Sequence, residues 1–166
     1  MPDNGTLLTI LETRILARLN PLLIAGGGTL QQIAVESMAS ADDLPVILER
    51  YRSRMPGGFL SLPLVRFEES ATRIINATLD YAFLAGWASR DTNTARRPQA
   101  FAFVEDFGAA ISLRSLSTAG APLGNRLNFT RLNEISFAED PEAGLTAMLA
   151  KFQIGVRNWI LNEPDR

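Results

Sequence analysis

Apolar side chains recur at Leu8, Leu11, Ile15 and Leu19, with Leu7 and Leu16 beside them, across TLLTILETRILARLN (6–20). That spacing predicts a helix with one buried stripe. Asn4 or Thr6 suits its start, and Pro21 ends it. AGGG (25–28) breaks the chain. Gln32 to Met38 then alternates Ile33 and Val35 with Gln32 and Glu36, which predicts a strand. Asp42 and Asp43, followed by a proline, introduce a second helix over LPVILERYRSR. Its stripe is Leu44, Ile47, Leu48 and Tyr51, with Glu49, Arg50, Arg52 and Arg54 facing water, and MPGG (55–58) stops it.

Two long extended segments follow. In FLSLPLVRFEE (59–69), strict alternation sets Phe59, Val65 and Phe67 on one face and Leu60, Leu62 and Leu64 on the other, so both faces are apolar. Pro63 cannot donate to a ladder, which predicts an edge position. In RIINATLDYAFLAGWAS (73–89), Ile75, Ala77, Leu79, Tyr81, Phe83, Ala85 and Trp87 share one side. The other side carries Thr78 and Asp80 first, then Ala82 and Leu84, so its covering is expected only towards the C-terminal end. A polar loop, SRDTNTARRP (89–98), leads to a helix expected to begin at Pro98. Its apolar arc is Phe101, Val104, Gly108 and Ile111, with Phe103 and Phe107 adjoining, and Gly108 suggests a close backbone neighbour. After a loop at 117–125, LNFTRLNEISFAED (127–140) alternates around Leu127, Phe129, Ile135 and Phe137. PEAG (141–144) turns the chain into LTAMLAKFQIGVRNWIL (145–161). There Met148, Ala150, Phe152, Ile154, Val156 and Ile160 form one face, and Lys151, Gln153 and Arg157 the other.

The order helix, strand, helix, strand, strand, helix, strand, strand predicts a single α+β domain over 1–166. Its sheet is mainly antiparallel and mixed, with about four to five strands and two to three packed helices.

Composition narrows the chemistry. The 166 residues, 46% hydrophobic and 20% charged, suit one self-sufficient core. A net charge of −2 argues against wholesale nucleic-acid binding, which needs a basic face. The basic set is Lys151 and fifteen arginines, and arginine makes forked, planar contacts suited to interfaces. No cysteine and no histidine occur, which removes disulfides, thiolate metal sites and the commonest general base. The acidic N-terminus lacks the basic region of a signal peptide, and no stretch of about 18 apolar residues exists, so a soluble protein made in a cytoplasm is expected.

Chemical motifs are sparse. The glycines of AGGG follow a helix and precede a strand, the wrong order for a phosphate or dinucleotide loop. Glu68 and Glu69 are adjacent on an extended segment and point to opposite faces. The pairs Glu105–Asp106 and Glu139–Asp140 read as solvated acids. No serine elbow and no EF-hand spacing occur. No catalytic residue, metal ligand or cofactor is therefore assigned. The candidate contact residues are Arg90, Arg96 and Arg97 in the polar loop, and the two-faced segment 59–67, with Phe59, Leu60, Leu62 and Leu64 named from it. Trp87 at a strand end fits either a core or an interface.

The element order resembles the tail-terminator proteins of long-tailed bacteriophages, in particular the Mu-like branch. The match runs over about 6–160. It is carried by LLTILETRILARL, by QIAVESM, by DDLPVILERYRSRMPGGFLSLPLVRFEES, by ATLDYAFLAGWASRD, by QAFAFVEDFGAAI and by the closing LTAMLAKFQIGVRNWI. These are patterns of order and hydrophobicity rather than chemical residues. The resemblance implies a non-enzymatic structural subunit that forms a ring, typically of six, on the end of the tail tube. That ring stops tube polymerisation and receives the head. It further implies a place in the virion tail, with the tube protein as partner and sheath and head-completion proteins as further neighbours. The alternatives are a head–tail connector of similar ring architecture, a small carboxylate–metal enzyme, and a regulatory binding domain.

Overall fold

The computed structural model describes residues 6–37, 44–68, 74–88, 93–117, 126–140, 142 and 144–160. Helix α1 (Leu7–Leu19) starts where the Thr6 side chain accepts the Thr9 amide at 3.3 Å. It buries Leu7, Leu11, Ile15 and Leu19, one residue per turn, so Leu7 rather than Leu8 heads the stripe. Each such side chain contributes about 1.5–3 kcal/mol when fully buried. Asn20–Leu22 then tightens into a 3₁₀ turn holding Pro21.

Strand β1 (Ile33–Val35) is shorter than the alternation suggested and runs parallel to β2 (Gly57–Phe67). Helix α2 (Leu44–Tyr51) lies between them in sequence. Strand β3 (Ile74–Ala88) is antiparallel to both β2 and β5 (Leu145–Ile160), and β4 (Leu127–Asp140) is antiparallel to β5. The sheet order is β1-β2-β3-β5-β4. Helices α3 (Asn93–Ala110) and α4 (Leu113–Leu116) complete an α+β fold with a mainly antiparallel, mixed five-stranded sheet.

The face of β3 bearing Leu79, Tyr81, Phe83, Ala85 and Trp87 packs under α1, α3 and α4. Its centre is aromatic. Phe83 stacks on Phe107 at 5.0 Å, Phe107 meets Phe152 edge-on at 5.6 Å, and Trp87 meets Phe103 edge-on at 5.2 Å. The opposite face holds a smaller cluster, in which α2 covers Phe59, Ala82, Leu84, Ala147 and Leu149. Leu44, Ile47, Leu48 and Tyr51 supply the helix side of it, as their spacing predicts. The second face of β3 is covered only towards its C-terminal end, also as expected. Thr78 and Asp80 stay half-exposed beyond the reach of α2.

Five further sequence expectations change. The β2 register shifts between Ser61 and Leu64, at Pro63. A bulge opposes unequal numbers of residues and so reverses the side-chain alternation beyond it. Val65 and Phe67 therefore join Leu60 and Leu62 on the helix-covered face, while Leu64 joins Phe59 on the other. Helix α3 begins at Asn93, and Pro98 lies inside it. Ala95, Arg96 and Arg97 are good helix formers and carry the helix back past the proline. The buried line of α3 is Ala100, Phe103, Phe107 and Ile111, which leaves Phe101 47% exposed. A Cβ on Gly108 would meet nothing within 4 Å, so no close backbone explains that glycine. Finally, β4 carries shifts between Leu127 and Phe129 and between Leu132 and Glu134, which place Leu127 and Phe129 on opposite faces.

Candidate self-association surface

The arginines after α2 are not simple surface charges. Arg52 and Arg54 form a 3₁₀ turn and are only half-exposed. Arg52 pairs with Asp140 at the end of β4, and Arg54 pairs with Glu36 just past β1. The Arg54 guanidinium also lies 4.6 Å from the centre of the Phe59 ring. These contacts pin α2 across one end of the sheet, from β1 to β4. Half-exposed ion pairs of this kind are worth little individually, about 0.2–1 kcal/mol, and the cation–π contact adds a similar amount.

The contact residues named from sequence fall into separate places. Phe59, Leu60 and Trp87 are 0%, 1% and 3% exposed. They are core residues of this chain and offer no surface to another. The Trp87 indole N–H donates to the Thr29 hydroxyl at 2.9 Å, which anchors the turn after α1. Leu62 is half-buried against the helix-side core. Leu64 is 45% exposed. Arg90 lies outside the described residues; Arg96 and Arg97 lie on the first turns of α3 rather than in a loop, and their side chains are likewise outside the described set. Asp80, the β3 partner of Leu64, lies about 23 Å along the strand from Trp87 at the usual strand rise. The sequence-derived set is therefore not one patch.

The structure instead exposes the half of the sheet that α2 leaves uncovered. Asp80 organises it, accepting from Arg66 Nη2 at 2.8 Å and from Gln153 Nε2 at 2.7 Å. Register lines extend this row across the sheet: Leu64 beside Asp80, Asp80 beside Gln153, Gln153 beside Arg131. The next rows run Val65, Leu79, Ile154, Thr130 and then Arg66, Thr78, Gly155, Phe129. Phe129 lies over Gly155, where a Cβ would stand 2.2 Å from its ring, and Arg131 lies 5.5 Å from the Phe129 ring centre.

Both edges of this half-sheet are open among the described residues. Strand β4 pairs with β5 on one side, and no described strand lies on its other side along 14 residues. Strand β1 covers β2 only at Gly58, Phe59 and Leu60. Pro63 thus sits at an edge, as expected, in the company of a bulge. Exposed apolar side chains gather at these edges. Phe67 is 56% exposed and touches Trp159 at 5.6 Å, and Leu64 and Leu132 are 45% and 38% exposed. Sequence reasoning held Phe67 only as part of the two-faced segment 59–67 and missed Leu132, because apolar residues on a strand look like core until the edge strands are known.

A second surface lies at the other end of β4. A cavity of about 320 Å³ is lined by Ala100, Phe101, Phe137, Glu139 and Thr146, and Phe101 meets Phe137 edge-on at 5.2 Å. Elsewhere, the Tyr81 hydroxyl is buried without a hydrogen-bond partner among the described residues. Burial, with Glu12 adding to it, pushes its ionisation well above the usual tyrosine value. Among the described residues, no group of three or more acids comes together in a way that could hold a metal ion, and no helix is long and apolar enough to cross a membrane. No known protein-family profile matches the chain, and no curated protein matches it.

Proposed function

We propose that this chain is a structural ring subunit of a bacteriophage tail, one that caps the tail tube, halts its polymerisation and receives the head. One observation supports self-association above the others. Among the described residues the chain carries two unlike open edges, β4 and the outer part of β2, on opposite sides of one sheet. Unlike patches on opposite sides favour head-to-tail contact, and head-to-tail contact closes into a ring when the rotation allows. The assignment to a tail end rests on the resemblance of the element order to tail terminators. In this role the protein works by adhesion, and its partners are further copies of itself, the tube protein and the neighbouring head-completion and sheath proteins.

Tail length tests the role. Electron microscopy of tails assembled with and without this chain should reveal overlong tubes in its absence. Tubes of normal length that lack heads would instead mark a head–tail connector, and normal, headed tails would defeat both.

A further inference from the structure

We infer that successive copies join by strand addition: residues 64–67 of β2 in one copy pair antiparallel with residues 129–132 of β4 in the next, so that one sheet continues through the ring. The inference rests on the ring reading and names its contact.

Strand directions supply the first argument. Strands β1 and β2 run one way, β3 the reverse, β5 with β2, and β4 with β3. When a second copy extends the sheet in the same orientation, β4 of the first lies beside β2 of the second with opposite direction. Rotation about an axis along the strands therefore yields antiparallel pairing at every junction, the more stable arrangement.

The bulges supply the second argument. A bulge bends a strand and interrupts its ladder. Those of β2 and β4 bound a regular window on each edge, 64–67 and 129–132, and a longer regular stretch, 134–140, continues β4 beyond its second bulge. The two windows lie on the same rows of the sheet, Leu64 with Arg131, Val65 with Thr130, Arg66 with Phe129. Below the bulge β2 is free of β1, and above its own bulge β4 can bend away from the neighbour's β1. The windows also carry side chains that a junction would cover. Leu64 and Phe67 on one window and Leu132 on the other are exposed apolar groups that a free monomer gains nothing by exposing, and Arg66 comes beside the Phe129 ring. The windows are short, so each junction is weak and closure of the ring supplies the persistence.

The cysteine-free chain makes a direct test. Single cysteines at each of positions 64 to 67 are combined with single cysteines at each of 129 to 132, and each doubly substituted full-length chain is oxidised at high concentration. Facing residues in an antiparallel pair stand about 4.5–5.5 Å apart at Cα, within disulfide reach, whereas diagonal neighbours do not. The expected result is a reducible ladder of dimers and higher species. Its strongest members should fall along one antiparallel diagonal that includes Leu64→Cys with Arg131→Cys or a neighbouring register. A parallel diagonal overturns the inference. So does a ladder-free panel, or efficient dimerisation through a single β4 or β2 cysteine, which marks a two-fold contact. Sedimentation of the unsubstituted chain separates the two levels. Self-association with a ladder-free panel defeats the strand pairing alone, while a failure of the tail-length test defeats the ring reading.

Discussion

Truncating Trp87 to alanine separates a core tryptophan from an interface tryptophan. The side chain is 3% exposed, meets Phe103 edge-on at 5.2 Å and donates to Thr29 at 2.9 Å. A tryptophan buries roughly 200 Å², which at about 25 cal/mol per Å² gives about 5 kcal/mol. Measured losses for such truncations are about 3–5 kcal/mol, because the site collapses in part. The aromatic pair and the hydrogen bond are contained in that loss rather than added to it. With a urea slope of about 2 kcal/mol per M, a loss of about 4 kcal/mol lowers the midpoint by about 2 M. A domain of this kind has only about 5–15 kcal/mol in total, so Trp87→Phe supplies the milder case. It keeps an aromatic ring and removes the indole donor, and a loss of about 1–2 kcal/mol is expected. The assay is urea unfolding of the monomer followed by circular dichroism. An unchanged midpoint for Trp87→Ala, accompanied by lost self-association, would refute the core assignment and return Trp87 to the interface.

Three further outcomes are expected. Gly155→Ala forces the Phe129 ring aside, because a Cβ there would lie 2.2 Å from it; a loss of about 1–3 kcal/mol is expected in thermal or urea unfolding, with partial recovery in Gly155→Ala/Phe129→Ala, and full tolerance would contradict the packing. Tyr81 ionises above the usual tyrosine value, so its contribution is intact below about pH 10 and is lost as the pH rises further, when the unfolded chain ionises first. Tyr81→Phe should therefore flatten the alkaline limb of the stability profile at little cost near neutrality, and an unchanged limb would count against this. Replacing Arg90, Arg96 and Arg97 together with alanine should weaken assembly on the tail while leaving the far-ultraviolet spectrum intact, and normal rings and tails would remove them from the contact.

Much of the fold is legible in the chain, and the reasons are local. The run from Ile75 to Trp87 is long, and no bulge interrupts its alternation between Ala77 and Ala88, so both its buried face and the late covering of its second face follow from period two. The stripe of α2 follows equally from spacing. What fails is whatever a strict period cannot carry. One irregularity at Pro63 swaps the faces of Leu64, Val65 and Phe67, and the phase of α3 differs because Phe101 and Ala100 compete for the core line. The interface candidates fare worst for a non-local reason. Phe59, Leu60 and Trp87 are apolar and strand-borne, and only the sheet order reveals that helices bury them while Phe67 and Leu132 remain at open edges. The pairing of Arg52 with Asp140 spans 88 residues of sequence, beyond any periodic signal.

The most direct measurement is an electron cryomicroscopy reconstruction of the end of an assembled tail. A closed ring of this chain seated on the last turn of the tube is expected, with β2 of each copy beside β4 of the next. A capped tail from which this chain is absent, or one in which it sits as an isolated copy without contact to another, would contradict it.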